Sequence, residues 1–225
     1  MKHRFIIVDA PQRSPEWDTA RLGKLTGSRA PDAFARTKGG WAASRKNLMY
    51  LLVLERITGK SGESDYVSPA MQAGIDREPF ALRAYEALTG NTVSACGFLQ
   101  HPTLMAGTSP DGYVGNFERI VSIKCRQPAA HVKALRGVIP HDAMTQIRHE
   151  LWITGAEAVD YFCWNPDFPD TLQGKLITVH RQDADIPGYE KDALCFLAEC
   201  DMEEQAIRTA ANLPQVLEQS LERTA

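Results

Sequence analysis

The order of segments along this chain predicts an α/β fold: a small mixed central sheet flanked by helices on both faces. Three observations lead there. Helical periodicity dominates up to about position 90, β-like segments cluster between positions 92 and 125, and a helix separates these from two more strands before the chain returns to helix. At 225 residues the chain can bury a sizeable core. No internal repeat, low-complexity tract or long linker divides it, so one domain over 1–225 is expected. Within it we read a basic helical part at 1–60, a core at about 65–182 and C-terminal helices at 184–222.

Taken in order, Phe5–Val8 is a short β-like run, and Asp18–Leu25 is a helix or turn leading to Thr26-Gly27-Ser28. Arg29–Ala35 has helical character, and Gly39-Gly40 is a flexible break. Ser44–Thr58 carries apolar residues at 48, 51, 52 and 54, a helical spacing, and Gly59 ends it. Pro69–Leu88 is a helix with Ser68 as N-cap, Pro69 in the first turn and Gly90 as terminator. Thr92–Leu99, Met105–Thr108 and Arg119–Cys125 are strand-like, with a Pro110-Asp111-Gly112 turn between the last two. His131–Arg136 and His141–Thr154 are helices, the second stopped by Gly155. Val159–Trp164 and Lys175–His180 are strands. Ala184–Arg208 is mostly helical and acidic, and Leu213–Glu222 is a final amphipathic helix.

Composition narrows the class. Hydrophobic residues make up 44% and charged residues 24%, the balance of a soluble globular protein. No apolar run reaches membrane-spanning length, and the basic N-terminus lacks the apolar stretch of a signal peptide, so a cytoplasmic protein is expected. The five cysteines, Cys96, Cys125, Cys163, Cys195 and Cys200, lack the spacing of a zinc or iron–sulfur site and read as buried reduced thiols. A net charge of −3 hides an asymmetry: residues 1–60 hold 12 Lys+Arg against 5 Asp+Glu, the remainder 13 against 23. That suits a basic groove on an acidic body, or two solvated faces of opposite sign.

Four pieces carry chemistry. Asp111 sits on the turn Ser109-Pro110-Asp111-Gly112. In the strand Val121-Ser122-Ile123-Lys124, positions 122 and 124 share a face. An acid at 122 would ligate a cation, Lys124 would stabilise negative charge on a scissile phosphate, and the Ile123 carbonyl would add an oxygen ligand. Glu78, in Gly74-x-x-x-Glu78, is an acid on a helix that can pack on the sheet; Gln146 and Arg148 are polar residues of a helix that can face phosphate. Mg²⁺, with Mn²⁺ as a substitute, is the ion such a set would hold, and a pair of ions would serve both attacking and leaving oxygens. Each piece alone has a plainer reading: a structural turn, a solvated lysine, a surface acid, a satisfied glutamine.

Together with Trp17-x-x-x-Arg21-Leu22-Gly23-x-Leu25-Thr26-x-Ser28 and Gln146-x-Arg148-x-x-x-Trp152-Ile153-Thr154, these blocks resemble the lambda-exonuclease-like, YqaJ-type viral recombinase branch of the PD-(D/E)-x-K nucleases. The resemblance covers roughly residues 14–182. It implies the PD-(D/E)-x-K nuclease fold. It also implies Mg²⁺-dependent, processive 5′→3′ digestion of one strand of double-stranded DNA from free ends, releasing mononucleotides and leaving 3′ single strands for recombination. By the same resemblance Glu78, Asp111 and the Ile123 carbonyl hold metal, and Lys124 is the catalytic lysine. Arg21, Ser28 and Ser109 bind the 5′-terminal phosphate, while Gln146 and Arg148 line the site. On the residues alone, Arg21 and Ser28 read rather as a helix-surface charge and an N-cap. The implied partners are duplex DNA ends, a single-strand annealing protein of the same phage or prophage, and two further copies in a ring-shaped homotrimer lined by the basic N-terminal region.

Ser122 departs from the pattern, because the family has an acid there. Serine is a neutral and weak ligand. Glu118 is no easy substitute, lying four residues earlier and so ~13 Å along a strand. Three readings follow: a variant disabled to trap substrate, a degenerate site that binds without cutting, or an active site with water in the gap. Restoring Glu at 122 is expected to raise Mg²⁺-dependent nuclease activity by orders of magnitude. The rival functions are a catalytically silent DNA-end-binding protein and a restriction or junction endonuclease of the same superfamily.

Overall fold

The computed structural model describes residues 3–63 and 66–222, with 212–222 described by backbone alone. The chain opens with strand β1 (Ile6–Val8), helix α1 (Pro15–Arg21), β2 (Leu25–Thr26), α2 (Ala30–Phe34) and a ribbon of β3 (Arg36–Thr37) and β4 (Gly40–Trp41). Helices α3 (Ala43–Thr58) and α4 (Pro69–Thr89) follow, then β5 (Phe98–Gln100), β6 (Ala106–Thr108), β7 (Gly112–Val114) and β8 (Arg119–Cys125). Helices α5 (Pro128–Leu135) and α6 (His141–Thr154), strands β9 (Ala158–Trp164) and β10 (Gly174–His180), and α7 (Ile186–Glu222) complete it.

The small mixed sheet with helices on both faces is β10-β9-β8-β7, in which β8 and β9 run parallel and the outer pairs antiparallel. A second four-stranded mixed sheet, β1-β5-β6-β2, is bridged to the β7 edge through Ser94 and Tyr113. Strand alternation decides what each face of β8 meets. Val121 and Ile123 point to α4, where Ala81 and Tyr85 pack on them with Phe162. Ile120 points the other way, into a larger core with Ile147 and Leu151 of α6 and Phe196 of α7. That core runs from Phe5 to Cys200, so the N- and C-terminal parts share it.

Several boundaries follow their sequence signals. Ser68 caps α4 by accepting the Met71 amide, and Gly59, Gly90 and Gly155 end their helices in the left-handed conformation. Others shift for identifiable reasons. Thr92–Leu99 is not a strand throughout: β5 starts at Phe98, because Gly97 lies so tightly against the backbone after β1 that a Cβ would sit 2.2 Å from the Val8 carbonyl oxygen. The turn after Ser109 runs directly into β7, a strand too short for alternation to reveal. Ser14 caps α1, which therefore starts and ends earlier than the 18–25 segment. Gly39-Gly40 forms the β3–β4 ribbon, and the two C-terminal helices are one continuous α7; the amphipathic character expected of 213–222 lies outside the described side chains. All five cysteines are free, but Cys195 is exposed and Cys96 and Cys125 are only half-buried.

Candidate active site

The fork between β7 and β8 organises the site. Strand β7 pairs only with Arg119–Val121, so beyond Val121 that edge of β8 has no strand beside it. The Asp111 carboxylate fills in there, accepting the Ile123 amide at 2.6 Å. A strand residue turns its N–H and C=O to the same edge, so the Ile123 carbonyl also faces the Asp111 side.

Glu78 reaches the fork from α4. It lies three and seven residues before Ala81 and Tyr85, on the stripe of α4 that packs on β8. Burial first, and then the neighbouring Asp111 charge, push its carboxyl above the usual range. Arg13 opposes this, its Nη2 lying 3.3 Å from Glu78 Oε2. Arg13 holds φ at 69°, an uncommon backbone for a side-chain-bearing residue. Glu78, Asp111, Gln12 and Arg13 line one cavity of about 440 Å³.

Gln12 and Arg13 also line an adjoining cavity of about 130 Å³, with Trp17, Arg21, Ser28, Ser109 and Gln146. The structure thus brings together four of the five residues predicted for phosphate binding and site lining, from three distant stretches. The Arg21 guanidinium stacks 3.9 Å over the Trp17 ring and donates to Ser28 Oγ at 3.2 Å. Trp17 Nε1 donates to Ser109 Oγ at 2.7 Å. Burial, and then repulsion from Arg29, lower the Arg21 guanidinium from its ordinary value, so an incoming anion relieves a crowded positive site.

On the other face of β8, Ser122 and Lys124 point toward α6. Ser122 is 1% exposed, and its Oγ has no hydrogen-bond partner. Across from it, Gln146 Nε2 donates to Glu150 Oε1 at 2.9 Å on the buried side of α6. Burial drives the Glu150 carboxyl up to about 7, against the pull of Lys124 and with help from Asp111. Arg148 is not brought to this place. Two residues from Gln146 it is turned ~200° around the helix, and it lines a separate groove with Phe34, His141 and Tyr189. Glu118 stays at the far end of β8, accepting the Asn116 amide.

The donor set suits a hard divalent cation. Two neighbouring carboxylates, with Glu78 pushed up by burial and by the charge of Asp111 and a backbone carbonyl beside them, are oxygen ligands short of positive charge. Among the described residues no three of His, Cys, Asp and Glu close into a ready-made cage, as befits an ion that keeps waters and takes substrate oxygens. A larger concavity, about 980 Å³ around His101, Trp152, His180 and Glu190, lies away from this chemistry. We place the site by its converging charges rather than by volume. Sequence reasoning missed Arg13, which reads as loop, and Glu150, although the latter stands one helical turn from Gln146.

Comparison with known proteins bears on the family and the fold. A family model described as the YqaJ-like viral recombinase domain matches residues 16–157. The alkaline exonuclease LHK-Exo from Laribacter hongkongensis is 35% identical, over 89% of this chain and 100% of that one, with a TM-score of 0.79. A second structure of LHK-Exo, in complex with dAMP, gives 34% identity over 89% and 100% and a TM-score of 0.80. A phage-related exonuclease from Haemophilus somnus 129PT shares the fold at 12% identity, over 83% of this chain and 96% of that one, with a TM-score of 0.62. No curated protein matches. With its PD-(D/E)-x-K-type fold and the matched span, the chain belongs to the YqaJ-like viral recombinase domain family.

Proposed function

We propose that the chain digests one strand of double-stranded DNA in the 5′→3′ direction from 5′-phosphorylated ends, leaving a 3′ single strand for recombination. The observation that carries this reading is the small cavity of Arg21, Ser28 and Ser109 next to the acidic fork. A guanidinium flanked by hydroxyls binds a terminal phosphate with charge-assisted hydrogen bonds. A closed pocket of this kind favours an end over an internal phosphodiester, which separates this reading from an endonuclease. LHK-Exo was solved with dAMP, the chemistry of a released mononucleotide.

In this reading Glu78, Asp111 and the Ile123 carbonyl hold Mg²⁺, or Mn²⁺ in its place. The bound ion supplies Lewis-acid polarisation of the scissile phosphate and of water. Lys124 stabilises the charge that develops on the phosphate oxygens. Arg21, Ser28 and Ser109 fix the 5′ phosphate, and Gln146 lines the same pocket. Processivity would follow from a ring of three copies around the duplex, and the 3′ strand would pass to an annealing protein. The test uses linear duplex with and without 5′ phosphates, and closed circular duplex, in Mg²⁺. Rapid loss of the phosphorylated linear form alone is expected; cutting of the circle would replace this reading with an endonuclease.

A further inference from the structure

We propose that Glu150 of α6 is the carboxylate that completes the metal-binding set of the fork, in the role the family pattern assigns to the position of Ser122. The inference rests on the nuclease reading above and deepens it. Three observations carry it.

First, two buried polar atoms on the α6–β8 interface have no hydrogen-bond partner. Ser122, 1% exposed, leaves Oγ unbonded; Glu150, 0% exposed, leaves Oε2 unbonded. A buried carboxylate oxygen without a donor is costly, so its retention calls for a partner that protein atoms do not provide. Second, the direction is right. Ser122 and Lys124 lie on the face of β8 whose neighbour Ile120 packs in one core with Ile147 and Leu151 of α6, whereas Val121 and Ile123 face α4. Third, Glu150 feels both Lys124 and Asp111 electrostatically, and Gln146 of the phosphate cavity holds its other oxygen at 2.9 Å. Strand β8 and helix α6 approach the fork from adjacent elements. An acid lost from the strand and present on the helix leaves the number of carboxylates at the site unchanged. Ser122 is then neither a defect nor a gap: it is the small residue that makes room for Glu150.

The test measures Mn²⁺ binding to the full chain by calorimetry, without DNA, with circular dichroism to check folding. Glu150→Gln is expected to weaken binding about tenfold or more, and Glu150→Asp, which keeps the charge, to retain most of it. Ser122→Glu alone is expected to give no gain, opposite to what the strand motif implies. Ser122→Glu combined with Glu150→Gln is expected to restore binding, which a purely structural role of Glu150 would not allow. Unchanged binding in Glu150→Gln, or no recovery in the folded double variant, overturns the proposal. Asp111→Asn separates the two levels. If it abolishes binding while Glu150→Gln does not, only the Glu150 assignment falls; if it too leaves binding intact, the nuclease reading falls with it.

Discussion

Lys124 and Arg21 carry the sharpest expectations at the scale of single residues. Lys124 faces α6 beside Ser122 and acts electrostatically on Glu150. Removing it as Lys124→Ala is expected to lower the rate of nucleotide release about 10²–10³-fold, the usual cost of losing one preorganised charge-stabilising group. Arg21→Ala is expected to remove about 1.5–3 kcal/mol of charged hydrogen bonding. It should erase the preference for 5′-phosphorylated ends while leaving Mn²⁺ binding alone; a retained preference in digestion kinetics would take the phosphate role away from Arg21. Most of these residues were legible in the sequence as types and spacings. Their convergence was not, because Arg21, Ser109 and Gln146 come from distant stretches that meet only in the folded chain. Arg148 shows the limit in the other direction: two residues from Gln146 looked close in sequence and is opposite on a helix. Arg13 was hidden because nothing in Pro11-Gln12-Arg13 announces a left-handed backbone that turns a side chain onto Glu78.

At the scale of elements, α3 and α6 hold the site in place. Arg29 donates Nη1 and Nη2 to the two oxygens of Glu55 at 2.8 and 2.7 Å, and Glu55 Oε2 also accepts the Gly23 amide at 2.8 Å. This buried fork ties α3 to the segment that leads from Arg21 to Ser28. Breaking it as Glu55→Ala leaves the buried guanidinium with Glu63, which accepts its Nε at 2.7 Å, but without its buried partner, and is expected to cost about 3 kcal/mol, read from chemical denaturation. Helix α6 is fixed by His149, whose Nε2 donates to the Gly107 carbonyl at 2.9 Å while Nδ1 accepts from the Tyr189 hydroxyl at 2.7 Å. Those partners select a neutral ring, and burial drives its pKa down to about 4. The unfolded chain binds that proton near the ordinary histidine value, so the unfolded state gains protons first. The His149 contribution to stability is therefore expected to be full above about pH 6.5 and to be lost as pH drops toward about 4, opposed over that range by Glu150, whose raised carboxyl takes up its proton first in the folded chain; His149→Gln should remove the His149 contribution in thermal melts. The helices were readable because caps and terminators are local signals, as at Ser68 and Gly90. The short strands were not, since β7 spans three residues and β5 is cut by a contact at Gly97 that is made across the fold.

At the scale of the whole molecule, the basic N-terminal part turns out to have two uses. Arg29, Arg45 and Arg56 are buried and spent on Glu55, Glu199 and Asp201, joining α3 to α7 and to the loop at 22–24. Those three are not available to meet DNA, so the charge asymmetry overstated the basic surface. No helix among the described residues is long and apolar enough to cross a membrane. A ring of three copies is expected in sedimentation at working concentration; a lone monomer that still digests long duplex without dissociating would contradict that route to processivity. The central claim is that the fork of Glu78, Asp111 and Lys124 cuts DNA from phosphorylated ends. It is tested most directly by following mononucleotide release from 5′-phosphorylated linear duplex in Mg²⁺, for the chain as it stands and for Asp111→Asn. Steady release by the chain with Ser122 in place, lost in Asp111→Asn, is the result expected; an inert chain, or release that Asp111→Asn leaves intact, contradicts it.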